Sequence, residues 1–142
     1  MIFKIPIKNS FWYFGISKST RMKDYLKLSV NKDMGSISVT LSVKDAKVAA
    51  LGQKMKTINE QADMTGSNWE ALLNYYLEEH HPDIAGGMGT DANAGKYTAY
   101  YKQNPQNEAK AKKLAEIIEE LIENESKLYD IVKNNADEID WE

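Results

Sequence analysis

The chain contains no cysteine, so disulfide bonds, thiol nucleophiles and cysteine-ligated metal sites are all excluded. Long apolar runs are also missing, because Lys4, Pro6 and Lys8 interrupt the apolar residues near the N-terminus. Neither a signal peptide nor a membrane-spanning helix is therefore expected, and the expected compartment is the cytoplasm. Internal repeats and low-complexity tracts are absent as well, which argues against a repeat architecture.

The remaining composition is that of an ordinary globular protein, with 42% hydrophobic and 27% charged residues. A chain of 142 residues can bury a core, and residues 1–142 are expected to form one domain. The net charge of −3 is unevenly placed: residues 1–62 hold 11 Lys or Arg and 4 Asp or Glu, whereas residues 63–142 hold 7 and 17. The scattered lysines favour solvated faces over a nucleic-acid site. The acidic part is the better candidate for binding a protein partner.

The first half of the chain predicts strands followed by a helix. Alternating apolar residues predict strands at 25–31 and 36–43, which an Asp-Met-Gly turn joins into an antiparallel hairpin. Further strands are predicted at 11–17 and, as a short edge strand, at 1–7. The period then becomes helical over residues 44–62.

A helix, a glycine-rich turn and an aromatic strand are predicted next. Ser67 and Glu70 have the spacing of a capping box, which would place the helix start there. Pro82 ends the helix, and Gly86, Gly87 and Gly89 mark the turn. Residues 91–95 are expected to form a structured turn into a strand at 96–101.

The C-terminal part predicts two more helices and an acidic tail. Asn104 and Pro105 form a strong helix start, and apolar spacing continues to about Glu123. A shorter helix follows to about residue 134, and residues 137–142 form either a last strand or an extended hook. The order of elements predicts an α+β single domain, in which a mainly antiparallel sheet packs against about four helices.

No residue pattern indicates catalysis, a metal or a cofactor. His80 and His81 are adjacent on a helix, so their side chains point about 100° apart and cannot share one metal as an i, i+4 pair can. The glycine-rich segment 86–89 lacks the Lys-Ser/Thr of a phosphate-binding loop. A small hydrolase or ligand-binding domain that uses acids around this loop is the alternative to a solvated acidic rim. Those acids are Glu78, Glu79, Asp83 and Asp91.

One segment carries a specific pattern. A Gly-Ser-Asn-Trp sequence opens a leucine-rich helix that ends in proline, and Asp-Ala-Asn-Ala-Gly precedes the aromatic strand. This segment resembles the Immunity protein 51 family of bacterial polymorphic-toxin systems. The matching residues are Gly66, Asn68, Trp69, Leu72, Pro82, Asp91, Ala94, Gly95 and Tyr100. Ala92 and Asn93 depart from the pattern, since the family usually has Pro and Glu at these positions.

The resemblance implies an immunity protein that binds and neutralises a cognate toxin, without enzymatic activity and without a nucleic-acid or membrane partner. Such an inhibitor needs a complementary surface and no catalytic group. The acidic surface, with two aromatic anchors, is expected to make this contact. Its predicted residues are Glu78, Glu79, Asp83, Asp91, Tyr101, Asp137, Glu138, Asp140 and Trp141.

Overall fold

The computed structural model describes residues 22–141, so the strands predicted at residues 1–7 and 11–17 lie outside the described residues. Within the described part, the strands are β1 (Leu26–Asn31), β2 (Ser36–Ser42), β3 (Gly89–Asn93) and β4 (Lys96–Lys102). The helices are α1 (Ala46–Ile58), α2 (Gly66–His80), α3 (Pro82–Ala85), α4 (Pro105–Glu123) and α5 (Glu125–Asn134), followed by a 3-10 helix (Ala136–Glu138).

The strands form an antiparallel sheet in the order β1-β2-β4-β3. Ile37, Val39 and Leu41 of β2 are fully buried, and helices α2 and α4 contact the sheet. The opposite face is polar, and Thr40 lies across from Thr98 there. These features confirm the predicted α+β class. The helix beyond the four predicted is α3, a single turn that begins at Pro82.

The start of α2 differs from the prediction. Thr65 is the N-cap, and its hydroxyl accepts a 3.2 Å hydrogen bond from the Asn68 backbone N–H. Glu70 does not reach back to the helix start, because its carboxylate accepts a 2.5 Å hydrogen bond from the Thr90 hydroxyl. The predicted capping box at Ser67 and Glu70 is therefore wrong: a hydroxyl two residues earlier already caps the helix.

Strand β3 was not predicted. Its sequence, GTDAN, is short and polar, and its strand conformation comes from pairing with β4 at all five positions. The predicted turn at residues 91–95 therefore shrinks to Ala94 and Gly95, with the Asn93 side chain accepting a hydrogen bond from the Gly95 N–H. The first turn of α2 packs directly on this turn, and the Gly66 N–H donates to the Ala94 carbonyl.

Glu123, at the end of α4, joins three elements. It accepts hydrogen bonds from the Tyr25 hydroxyl (2.6 Å) and from the Lys47 ammonium group (3.0 Å). The bond from Tyr25, followed by the bond from Lys47, lowers the pKa of the Glu123 carboxyl. Burial, followed by the same contact with Glu123, raises the pKa of Tyr25. The start of β1, the first turn of α1 and the end of α4 are thus held together.

The acidic tail is not a strand. Its first residues belong to the 3-10 helix, and Ile139 behind them is buried. Trp141 is half-buried and packs against the hydrophobic core. Ile139 and Trp141 are therefore two side chains that fix the tail to the core.

Candidate functional site

A groove of about 350 Å³ lies between α2 and the C-terminal segment. On α2, the lining residues follow i, i+3, i+4 and i+7 spacing and so occupy one face of the helix. The opposite wall is the acidic tail. The residues that line this feature, called here the acidic groove, are Ala71, Asn74, Tyr75, Glu78, Glu79, Glu138 and Asp140.

The charge of the acidic groove is negative and uncompensated by its lining. Four of its residues are carboxylates, and neither Lys nor Arg from the described range 22–141 lines it. The ion pairs found among residues 22–141 involve other acids. Burial, followed by the charges of Glu138 and Glu79, raises the pKa of the Tyr75 hydroxyl. The groove thus presents a negative potential to which a cationic group would be attracted.

Both walls of the groove are fixed by packing. On α2, the face behind Glu78 and Glu79 carries Leu72, Leu73 and Leu77, which are fully buried. In the tail, buried Ile139 separates Glu138 from Asp140. The Glu138 carboxylate also accepts a 3.1 Å hydrogen bond from the Asn135 side chain. The backbone that carries the carboxylates is therefore held in place before any partner binds.

The structure brings together only part of the predicted acidic surface. Glu78, Glu79, Glu138 and Asp140 line the groove. Asp137 is exposed on the adjacent 3-10 helix. Asp83 is exposed on α3, and Asp91 is exposed on β3, where it pairs with Thr98. Neither Asp83 nor Asp91 lines the groove.

The prediction that Tyr101 is an aromatic anchor on the surface is wrong. Its side chain points into the core, and the residue is only 1% exposed. The hydroxyl donates a 2.7 Å hydrogen bond to the Ile84 carbonyl, and burial, with the nearby charge of Asp83, raises the pKa of Tyr101 to about 12. Tyr101 therefore secures α3 to β4. Of the two predicted anchors, half-buried Trp141 is the one that retains some exposure.

The sequence analysis missed Tyr75, the aromatic residue of the groove. It lies three and four residues before Glu78 and Glu79, so all three share one face of α2. That spacing is present in the sequence, where Tyr76 falls on the apolar stripe of the helix and Tyr75 falls beside it. The structure confirms that Tyr76 is buried and leaves Tyr75 half-buried beside the carboxylates.

The other candidate chemistries are located away from the acidic groove. The rings of His80 and His81 lie 4.7 and 5.9 Å from the Tyr76 ring, and Lys127 donates a 3.3 Å hydrogen bond to the Tyr76 hydroxyl. No group of three or more metal-ligating side chains is found across residues 22–141. No helix in that same range is long and apolar enough to cross a membrane.

The acids proposed for a hydrolase are all on the surface. Glu78, Glu79, Asp83 and Asp91 are each exposed. Gly89 is part of β3, and the Gly86 carbonyl accepts a hydrogen bond from Lys110, so the glycine-rich segment makes ordinary structural contacts. A general acid needs a buried carboxyl with a raised pKa, and these four residues do not supply the required burial.

The protein is a small α+β protein, and the surface formed by residues 22–141 carries a carboxylate-lined depression. The chain belongs to the Immunity protein 51 family, whose sequence model matches residues 27–137 of the 142 residues. No curated protein and no solved structure matches the chain. Its relation to immunity proteins therefore rests on the family match, which covers the sheet, α1 to α5 and most of the 3-10 helix.

Proposed function

We propose that this protein binds a cognate bacterial toxin and neutralises it by direct protein contact, using the acidic groove. Membership of the Immunity protein 51 family supports the role in immunity. The observation that carries the proposed site is the convergence of four carboxylates, from two distant parts of the chain, around one groove. The proposed place of action is the cytoplasm, as expected from the sequence.

The proposed contact is electrostatic at its rim and aromatic at its centre. Cationic side chains of the toxin would face Glu78, Glu79, Glu138 and Asp140, and complementary charge accelerates association and excludes wrong partners. Tyr75 would stack on such a cation or on an apolar neighbour. Because the walls are fixed, little conformational freedom is lost when the partner binds.

A toxin that acts on an anionic substrate would carry the cationic surface that this groove fits. Covering that surface would block substrate access without any reaction by the immunity protein. Asp137 and Trp141 border the tail and are proposed as further contacts. Asp83 and Asp91 would contact only a toxin that extends beyond the groove.

The test begins with the product of the adjacent reading frame, expressed in a surrogate bacterium with and without this protein. The expected result is that the neighbour kills, that co-expression restores survival, and that the two proteins elute as one complex. A harmless neighbour, or death that co-expression does not prevent, contradicts the proposed function.

The groove is tested separately with matched charge reversals. The Glu78→Lys/Glu79→Lys variant should weaken the complex by roughly 100-fold, because two close charge pairs are replaced by repulsion. The control, Glu116→Lys/Asp130→Lys, makes the same change in net charge at two exposed residues outside the groove. Equal affinity of the two variants would show that the groove is not the contact surface.

A further inference from the structure

Among residues 22–141, strand β3 is one edge of the sheet and is not covered by another strand. It pairs with β4 on one side, and no strand within residues 22–141 pairs with its other side. All five of its residues are exposed or half-buried. An edge strand presents unpaired backbone N–H and C=O groups, which can pair with a strand of another chain. The register with β4 is continuous, so no bulge turns this edge away from an incoming strand.

The two edges of the sheet carry different charges. The other edge, β1, bears the exposed Lys27, and Lys32 follows it in the turn. Lysine on an edge strand is a common protection against unwanted pairing. The sequence of β3 contains no Lys, Arg or Pro, and its one charged residue is Asp91. This edge is therefore suited to a strand that carries positive charge.

The edge of β3 continues into the acidic groove along α2. The Thr90 hydroxyl donates to the Glu70 carboxylate, which connects β3 to the first half of α2. Glu70, Asn74 and Glu78 follow i, i+4 spacing on one face of the helix, and Asn74 and Glu78 line the groove. Since successive strand residues point to opposite faces, carboxylates flank β3 on both faces of the sheet: Glu70 beside Thr90, and Asp91 on the other side.

We infer that an extended, cationic segment of the toxin adds to the sheet as a strand beside β3. This inference rests on the proposed function and names the kind of partner segment involved. Backbone hydrogen bonds to β3 would supply affinity, and alternate Lys or Arg side chains would face Glu70 on one side and Asp91 on the other. Self-pairing is disfavoured, because two antiparallel copies of β3 centred on their middle residue would place Asp91 opposite Asp91.

Hydrogen–deuterium exchange of the protein alone and in its complex with the adjacent gene product tests the inference. In the complex, amides of β3 should exchange roughly tenfold or more slowly, while those of β1 keep their rates. A complex that protects α2 and the tail but leaves β3 unchanged overturns the strand addition and leaves the proposed function standing. Failure to form any complex removes both.

The affinities of two variants for the adjacent gene product provide a second test. Asp91→Lys places a lysine on β3 and should weaken the complex by roughly tenfold or more, whereas Ser29→Lys on β1 should change affinity by less than about twofold. Equal affinities for the two variants contradict the inference. Size-exclusion chromatography of the protein alone tests whether a second copy of this chain, and not the toxin, pairs with β3. A dimer with slowly exchanging β3 amides would show that it does.

Discussion

Alanine in place of Gly66 is expected to destabilise the protein, although replacing glycine with alanine inside a helix usually stabilises it by up to about 1 kcal/mol. A Cβ at this position would lie 2.0 Å from the Asn93 carbonyl oxygen and 2.2 Å from that of Lys96. Both atoms belong to the backbone of the β3–β4 hairpin, so no side chain can rotate out of the way. The hairpin or the helix must move instead.

The size of the effect follows from three contributions. Separating α2 from the hairpin costs about 1–3 kcal/mol as overpacking. It also weakens the hydrogen bond from the Gly66 N–H to the Ala94 carbonyl, worth about 1 kcal/mol. Subtracting the gain in helix propensity leaves a net loss of about 1–3 kcal/mol. For a chain of this size, each kcal/mol of lost stability lowers Tm by roughly 2–4 °C.

Urea unfolding followed by circular dichroism measures this change, with Gly86→Ala as the matched control. The nearest atom to a Cβ at Gly86 is the Asp83 carbonyl oxygen at 3.6 Å, and φ is −64°, so alanine fits there without strain. Gly86→Ala should be neutral or stabilising by about 0.4–1 kcal/mol. A Gly66→Ala midpoint equal to or above that of the wild type would refute the close packing of α2 on the hairpin.

Three further changes have distinct expected outcomes. Tyr101→Phe leaves the Ile84 carbonyl without its donor and should lower the free energy of unfolding by about 1 kcal/mol at pH 7, with toxin affinity unchanged. Because folding raises the pKa of Tyr101 to about 12, the wild type loses the stability that this tyrosine contributes as pH rises above about 10. The variant should therefore lose less stability than the wild type in that range. Glu123→Gln should lose less stability than the wild type between pH 7 and about pH 3, as measured by urea unfolding at the two pH values. The lowered pKa of Glu123 stabilises the wild type above the ordinary glutamate pKa, and this stabilisation is lost as pH falls through the lowered value. Ile139→Ala should speed amide exchange in the tail and weaken toxin binding, since Ile139 fixes one wall of the groove; wild-type exchange in that segment would contradict this role.

Sequence patterns predicted the elements whose burial is regular. The alternation of β2 and the helical spacing of α4 appear in the structure as uniformly buried faces, at Val39 and Leu41 in the strand and at Leu114 and Ile118 in the helix. Strand β3 has no such pattern, because it is short, polar and accessible on its free edge. Its conformation depends on β4, and a local reading of GTDAN favours a turn.

The candidate site depended on information that spacing alone does not contain. Glu78 and Glu138 are far apart in sequence, and the packing of Ile139 and Trp141 on the core holds the tail beside α2. The error at Tyr101 has a different cause. Tyr100 and Tyr101 are consecutive in β4, so one must face the core and the other the polar side, and a shift of one residue in register exchanges them. Pairing of Tyr101 with Ile37 places it inward and leaves Tyr100 exposed.

The residues that carry the family resemblance and the carboxylates of the acidic groove occupy different parts of the structure. Gly66 and Ala94 meet where α2 packs on the hairpin, and Trp69 is fully buried behind that contact. These residues determine how α2 packs on the sheet. The groove carboxylates, such as Glu79 and Asp140, lie on the exposed side of α2 and on the tail, outside the family pattern. The charges of the acidic groove can therefore change without disturbing the packing of α2 on the sheet. Under the proposed function, this separation would allow the partner to vary while the family pattern stays the same.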